Sequence, residues 1–138
     1  MAFAGTWLYD RSENHDAVME KLGVPEETRV LIRNAKPKLE FSKTADGEGT
    51  MKIIGDKKTL VINAKRDEDY DSPTSIVSDK TRRVRTEKIS DTKFVTRGTG
   101  DQSQVINRVI ETREIIDGVL VVSYEVDGVS CKRYFNKV

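Results

Sequence analysis

From Lys38 onward the chain is a succession of short runs in which apolar and polar residues alternate, cut by residues that turn the backbone. A period of two puts every second side chain on the same face, so these runs are half-buried strands, and tight turns between them make the strands antiparallel. Residues 38–42 alternate strictly. Strands follow at 50–54, 59–64, 82–89 and 93–97, with Asp46-Gly47, Gly55-Asp56 and Gly98-Thr99-Gly100-Asp101 as turns. Residues 65–80 hold one short strand and a loop with Ser72-Pro73. Residues 104–116, rich in Val, Ile and Thr, read as one long strand. Asp117-Gly118 and Asp127-Gly128 are hairpin signals, because both central positions of a type I′ turn need φ > 0. They make 104–116, 119–126 and 129–138 a three-stranded meander. With a first strand at 5–11 the total is nine or ten. So many short antiparallel strands predict an all-β closed barrel, whose closure removes exposed edges. A barrel that wide encloses a cavity.

Two helices interrupt the strands early. Residues 14–23 form the first: Asn14 is the expected N-cap, Asp16 suits the positive end, and Gly23 ends it. Val18, Met19 and Leu22 are its apolar stripe. Pro25 opens a second helix, with Glu26 and Glu27 at its start and Arg29 and Arg33 toward its end. Leu31, Ile32 and Ala35 are available for packing, and Pro37 stops it. The pair has the shape of a helix-turn-helix, but the second helix lacks a polar base-reading face.

The composition narrows the function. The length, 138 residues, suits one domain spanning 1–138. Lys and Arg total 24 against 23 Asp and Glu, a net charge of +1, which argues against a nucleic-acid partner. No apolar run is long enough to span a membrane, and no secretory leader is visible. The lone Cys131 excludes an internal disulfide and reads as a small core residue. These features point to a cytoplasmic protein. No phosphate-binding loop, dinucleotide fingerprint or nucleophile elbow occurs. His15 beside Asp16 has no serine partner and reads as an exposed residue at a helix start. With one histidine and one cysteine there is no metal-ligand cluster. An enzyme is therefore not expected, nor a cofactor.

Phe3-Ala4-Gly5-Thr6-Trp7, Ser12-Glu13-Asn14, Met19, Leu22-Gly23-Val24, Thr28-Arg29 and Ala35-Lys36-Pro37 resemble the opening of the intracellular lipid-binding proteins, the family of fatty-acid-binding and cellular retinoid-binding proteins. The run from Asp127 to Val138 resembles that family's last strand. The resemblance is specific over residues 3–41 and 109–138 and loose between 45 and 105. It implies a ten-stranded, flattened up-and-down barrel lidded by the two helices, with one or two acyl chains inside. It also implies a carboxylate clamp of two arginines and a tyrosine. The arginines fall at Arg113 and Arg133. The tyrosine position is Phe135, so the clamp lacks its hydroxyl.

Strand alternation gives an independent reading of the same residues. Val129, Cys131, Arg133 and Phe135 share one face, and Tyr134 points outward. Val109, Glu111 and Arg113 share a face, as do Leu120, Val122, Tyr124 and Val126. Arg113, Arg133 and Tyr124 can thus converge inside, where a carboxylate would complement the cations. The other reading is a permanent pair between Arg113 and Glu111. Arg82 also points inward, while Arg83 and Arg85 point out. Met19, Leu39, Phe41, Met51, Leu120 and Val122 complete the expected lining. The resemblance also puts the two helices and the turn around Gly55-Asp56 at one mouth of the barrel, where Lys21, Arg29, Arg33, Lys57 and Lys58 would make a basic surface suited to transient contact with anionic membranes. The expected protein is a monomeric carrier of long-chain fatty acids. A retinoid carrier, or a membrane-associating protein with incidental lipid, is the alternative.

Overall fold

The computed structural model describes residues 2–43, 49–74 and 80–138. Ten strands form one sheet: β1 (Gly5–Glu13), β2 (Lys38–Lys43), β3 (Gly49–Ile54), β4 (Thr59–Ala64), β5 (Asp69–Pro73), β6 (Thr81–Ser90), β7 (Lys93–Gly98), β8 (Ile110–Ile116), β9 (Val119–Val126) and β10 (Val129–Lys137). Helices α1 (His15–Lys21) and α2 (Glu26–Asn34) lie between β1 and β2. The strand order is β4-β3-β2-β1-β10-β9-β8-β7-β6-β5, with every ladder antiparallel. The sheet curls into a barrel, as expected, but closure is incomplete. Among the described residues β4 and β5 share no ladder, and one parallel bridge, Arg66 to Thr86, crosses nearby. The expected turn at Asp46-Gly47 lies outside the described residues.

The hairpin turns follow from their sequences. Asp117 and Gly118 take φ 51° and 80°, and Asp127 and Gly128 take 48° and 83°. Both are left-handed pairs, which join twisted antiparallel strands without splaying them. On the outer wall, alternation places Arg83 against Asp71 at 3.3 Å and Arg85 against Asp69 at 2.8 Å.

Two expected elements differ. Asn14 does not cap α1 with its side chain; it sits at φ 60°, and its Nδ2 donates to the Ser130 carbonyl at 2.8 Å. It ties the start of the helix to β10 instead. Residues 104–116 are not one strand. A 3-10 helix, Val105–Arg108, precedes β8. It is held by side-chain bonds to backbone: Gln102 Nε2 donates to the carbonyls of Gly100 and Asn107, both at 3.0 Å, and Asn107 Nδ2 donates to that of Asp101 at 2.8 Å. Gly98 makes room for it, since a Cβ there would lie 2.3 Å from the Asn107 oxygen.

The lower barrel is filled. Phe3, Trp7, Leu39, Met51, Ile62, Tyr70, Val84, Leu120, Val122 and Phe135 form one buried cluster. Trp7 is fully buried and its Nε1 donates to the Phe3 carbonyl at 2.9 Å. The helices cover the other end. Val18 and Met19 of α1 are buried, and Val18 clusters with Val109, Val126 and Cys131.

Candidate functional site

Between the filled lower barrel and the helices lies a cavity of about 1180 Å³. Its walls carry Leu39, Met51, Ile62 and Val122, its floor Phe135, and its lid Val18, Met19 and Leu22. Val105 and Ile106 of the 3-10 helix border the mouth. Part of the cavity lining is thus a 3-10 helix where one long strand is expected over 104–116.

Strand register explains how the polar groups meet. Arg113 of β8 and Arg133 of β10 both pair with Val122 of β9, so the two arginines flank one valine in a single row. The next row toward the mouth is Glu111, Tyr124 and Cys131. The row below is Ile115, Leu120 and Phe135. Alternation turns all three rows inward.

The charges are unequal. Arg113 Nη2 donates to Glu111 Oε1 at 2.7 Å, with the side chains 15% and 10% exposed. The alternative reading of a pair at Arg113 is thus the geometry found. Arg133 has a weaker set of partners. Its Nε donates to Ser12 Oγ at 3.3 Å, and its guanidinium carbon lies 5.0 Å from the Tyr9 ring centre and 5.9 Å from that of Phe135. Arg82 is buried and its Nη1 donates to the carbonyls of Ile106 at 3.2 Å and Val109 at 2.8 Å. It thereby fastens the 3-10 helix to the wall. Three arginines face one glutamate around the cavity, an excess of positive charge in an apolar setting. Buried guanidinium groups keep their protons and call for anions.

Of the residues expected to line the cavity, Met19, Leu39, Met51, Arg82, Arg113, Val122, Tyr124, Arg133 and Phe135 do so. Phe41 and Leu120 do not. Phe41 pairs with Gly5 at the lower end and packs against Phe3, ring centres 5.7 Å apart. Leu120 is fully buried one row beneath the arginines, where side chains fill the barrel. Tyr134 points outward as expected; its hydroxyl donates to Glu13 at 3.2 Å.

His15 corrects the sequence reading. It is not a surface residue: it lines the cavity and stacks on Tyr124, ring centres 6.1 Å apart and 25° from parallel. Burial, then the positive Arg133, push its pKa down to about 4 against the opposing pull of Asp16. The imidazole is neutral at ordinary pH. The signal lay in the helical period, because His15 stands three and four residues before Val18 and Met19 and shares their stripe. Burial likewise raises the pKa of the Tyr124 hydroxyl and the Cys131 thiol.

The expected basic mouth is largely paired. Arg33 contacts Asp16 at 2.8 Å, Arg29 contacts Asp16 and Glu26, and Lys21 lies 4.0 Å from Asp127. Arg108 also bonds Asp127, at 2.9 and 2.7 Å, tying the 3-10 helix to the turn between β9 and β10. No helix among the described residues is long and apolar enough to cross a membrane.

No family model matches the chain. Curated proteins do. A fatty acid-binding protein type 3 of Fasciola hepatica is 31% identical over 137 residues, covering 99% of this chain and 98% of that protein. The intestinal fatty acid-binding protein of Mus musculus is 31% identical, covering 99% of each. Among solved structures, a Schistosoma mansoni fatty acid binding protein in complex with arachidonic acid superposes with a TM-score of 0.86 at 28% identity, over 99% of this chain and 96% of that one. The lidded ten-stranded barrel and the full-length likeness agree, and the chain belongs to the fatty-acid-binding protein family, whose members are carriers rather than enzymes.

Proposed function

We infer that this protein is a cytoplasmic carrier that holds a long-chain fatty acid in the barrel, with the carboxylate at Arg133 and the tail along Val122, Met51 and the helical lid. The observation that carries this reading is the excess of inward arginine over carboxylate around an apolar cavity. Tail burial supplies most of the affinity, at about 0.8 kcal/mol per CH₂. The charged head sets the orientation. Arg113, already bonded to Glu111, is the weaker partner and Arg133 the stronger. Replacing Arg133 by Leu is expected to weaken oleate binding by about 1.5–3 kcal/mol, the worth of a hydrogen bond to a charged group, and to leave oleyl alcohol much less affected. Equal losses for acid and alcohol would remove the carboxylate assignment.

Loading and delivery proceed on this reading by contact with anionic membranes. Leu31, 60% exposed on α2, and Val30 beside it are apolar groups presented on the lid. Lys57 and Lys58 are exposed on the turn between β3 and β4, at the same end of the barrel.

A further inference from the structure

One row nearer the mouth than the arginines, Tyr124 of β9 meets His15 of α1, and the carboxylate site uses neither of these polar groups. Among the described residues, neither the His15 imidazole nor the Tyr124 hydroxyl has a hydrogen-bond partner, and both residues line the cavity. Stacking fixes the imidazole plane against the phenol ring. A neutral imidazole offers one donor and one acceptor, and a phenol offers both. Tyr124 pairs across the strands with Cys131, two residues from Arg133, so the pair stands roughly 6–7 Å from the arginine row along the strand direction. A chain whose carboxylate meets Arg133 and whose tail runs toward the mouth must pass it. A plain hydrocarbon there strips water from both groups and replaces none of their bonds, which opposes binding. An oxygen at that height restores them.

We propose that His15 and Tyr124 form a selectivity site for acyl chains bearing a neutral oxygen, such as a hydroxyl, a few carbons from the carboxylate. The inference rests on the carrier reading above and names the ligand class within it. Its neighbours suit this chemistry. Val18, Met19 and Leu22 on the helix and Val122 on the wall are apolar, and the nearby Arg82 guanidinium is engaged by the carbonyls of Ile106 and Val109. Glu111, in the same row, is engaged by Arg113.

The test is competition against a fluorescent fatty acid, using stearic acid and stearic acids hydroxylated at carbon five or at carbon twelve. The wild-type protein should prefer the five-hydroxy acid over stearic acid by about five- to tenfold, as one added hydrogen bond gives. The twelve-hydroxy acid should gain nothing. His15→Phe keeps the ring stack and should erase most of that preference, and Tyr124→Phe should reduce it. His15→Gln retains a donor and an acceptor and should preserve part of it. The proposal is overturned if wild type shows no preference, or if the preference survives in a protein carrying both phenylalanines. It is also overturned if the carbon-twelve isomer gains as much. Binding of stearic acid without selectivity defeats this inference alone, whereas failure of all three acids to bind defeats the carrier reading as well.

Discussion

Glu111→Gln isolates the electrostatics of the cavity. The Glu111 carboxylate is the anion bonded to Arg113, at 2.7 Å, with both side chains nearly buried. Removing one partner of a buried pair leaves an uncompensated charge and costs about 3–5 kcal/mol. For a chain of this size the empty variant should melt on the order of 10 °C lower. The same change alters binding in the opposite sense. Arg113 and Arg133 flank Val122 in one row, so a carboxylate entering the variant meets two guanidinium groups without a carboxylate partner instead of one. One further charge-assisted bond is worth about 1.5–3 kcal/mol, so oleate affinity should rise roughly tenfold to a hundredfold. Ligand should therefore restore much of the lost stability, and the oleate-induced rise in melting temperature should be larger than in wild type. Calorimetric titration with oleate and oleyl alcohol, with melting curves of each complex, measures both halves. A variant that melts low but binds oleate no tighter than wild type would refute the reasoning, because Arg113 would then be out of the ligand's reach.

Gly98→Ala should displace the 3-10 helix, since the added Cβ meets the Asn107 oxygen at 2.3 Å; amide exchange at residues 105–108 should accelerate, and ligand release with it. Unchanged exchange would mean that the helix is not seated by Gly98. His15 predicts a pH effect on stability. Its pKa falls from 6.5 to about 4 on folding, so the unfolded chain binds the extra proton between those values, and stability is lost as pH falls through that window. The loss is on the order of 3 kcal/mol, and urea unfolding at pH 4.5 and pH 7 should show a smaller difference for His15→Phe than for wild type. Charge reversal at Lys57 and Lys58 should slow transfer of fatty acid to anionic vesicles and lessen its salt dependence, whereas a transfer rate indifferent to vesicle concentration would remove the membrane-contact step.

Most of the barrel is legible because period-two alternation and the two Asp-Gly turns are local signals. Arg113, Arg133 and Tyr124 could be placed inside by counting from those turns. The 3-10 helix escaped because Val105-Ile106-Asn107-Arg108 has strand composition, while its fold depends on Gln102 and Asn107 bonding to the backbone and on the space above Gly98. Phe41 and Leu120 were misplaced for a different reason. Alternation tells inward from outward, but not the height along the barrel at which packed side chains give way to cavity. The open junction beside β4 is also a property of the whole sheet, which no single strand encodes.

The strand order has a consequence for how the chain reaches this structure. Among the described residues, eight of the nine ladders join strands that follow one another in sequence; the ninth, β1 with β10, joins the two ends. The molecule is thus two ribbons, β1–β4 and β5–β10, sewn together by one pairing whose partners lie far apart in the chain, Trp7 opposite Lys137 and Glu13 opposite Lys132. Each ribbon can zip locally, but joining them must wait for a large loop to close, which is the slow kind of step in folding. During synthesis the first ribbon emerges with the free edge of β1 exposed until the last strand arrives. That interval is when an unpaired edge can recruit the wrong strand, from this chain or from another copy.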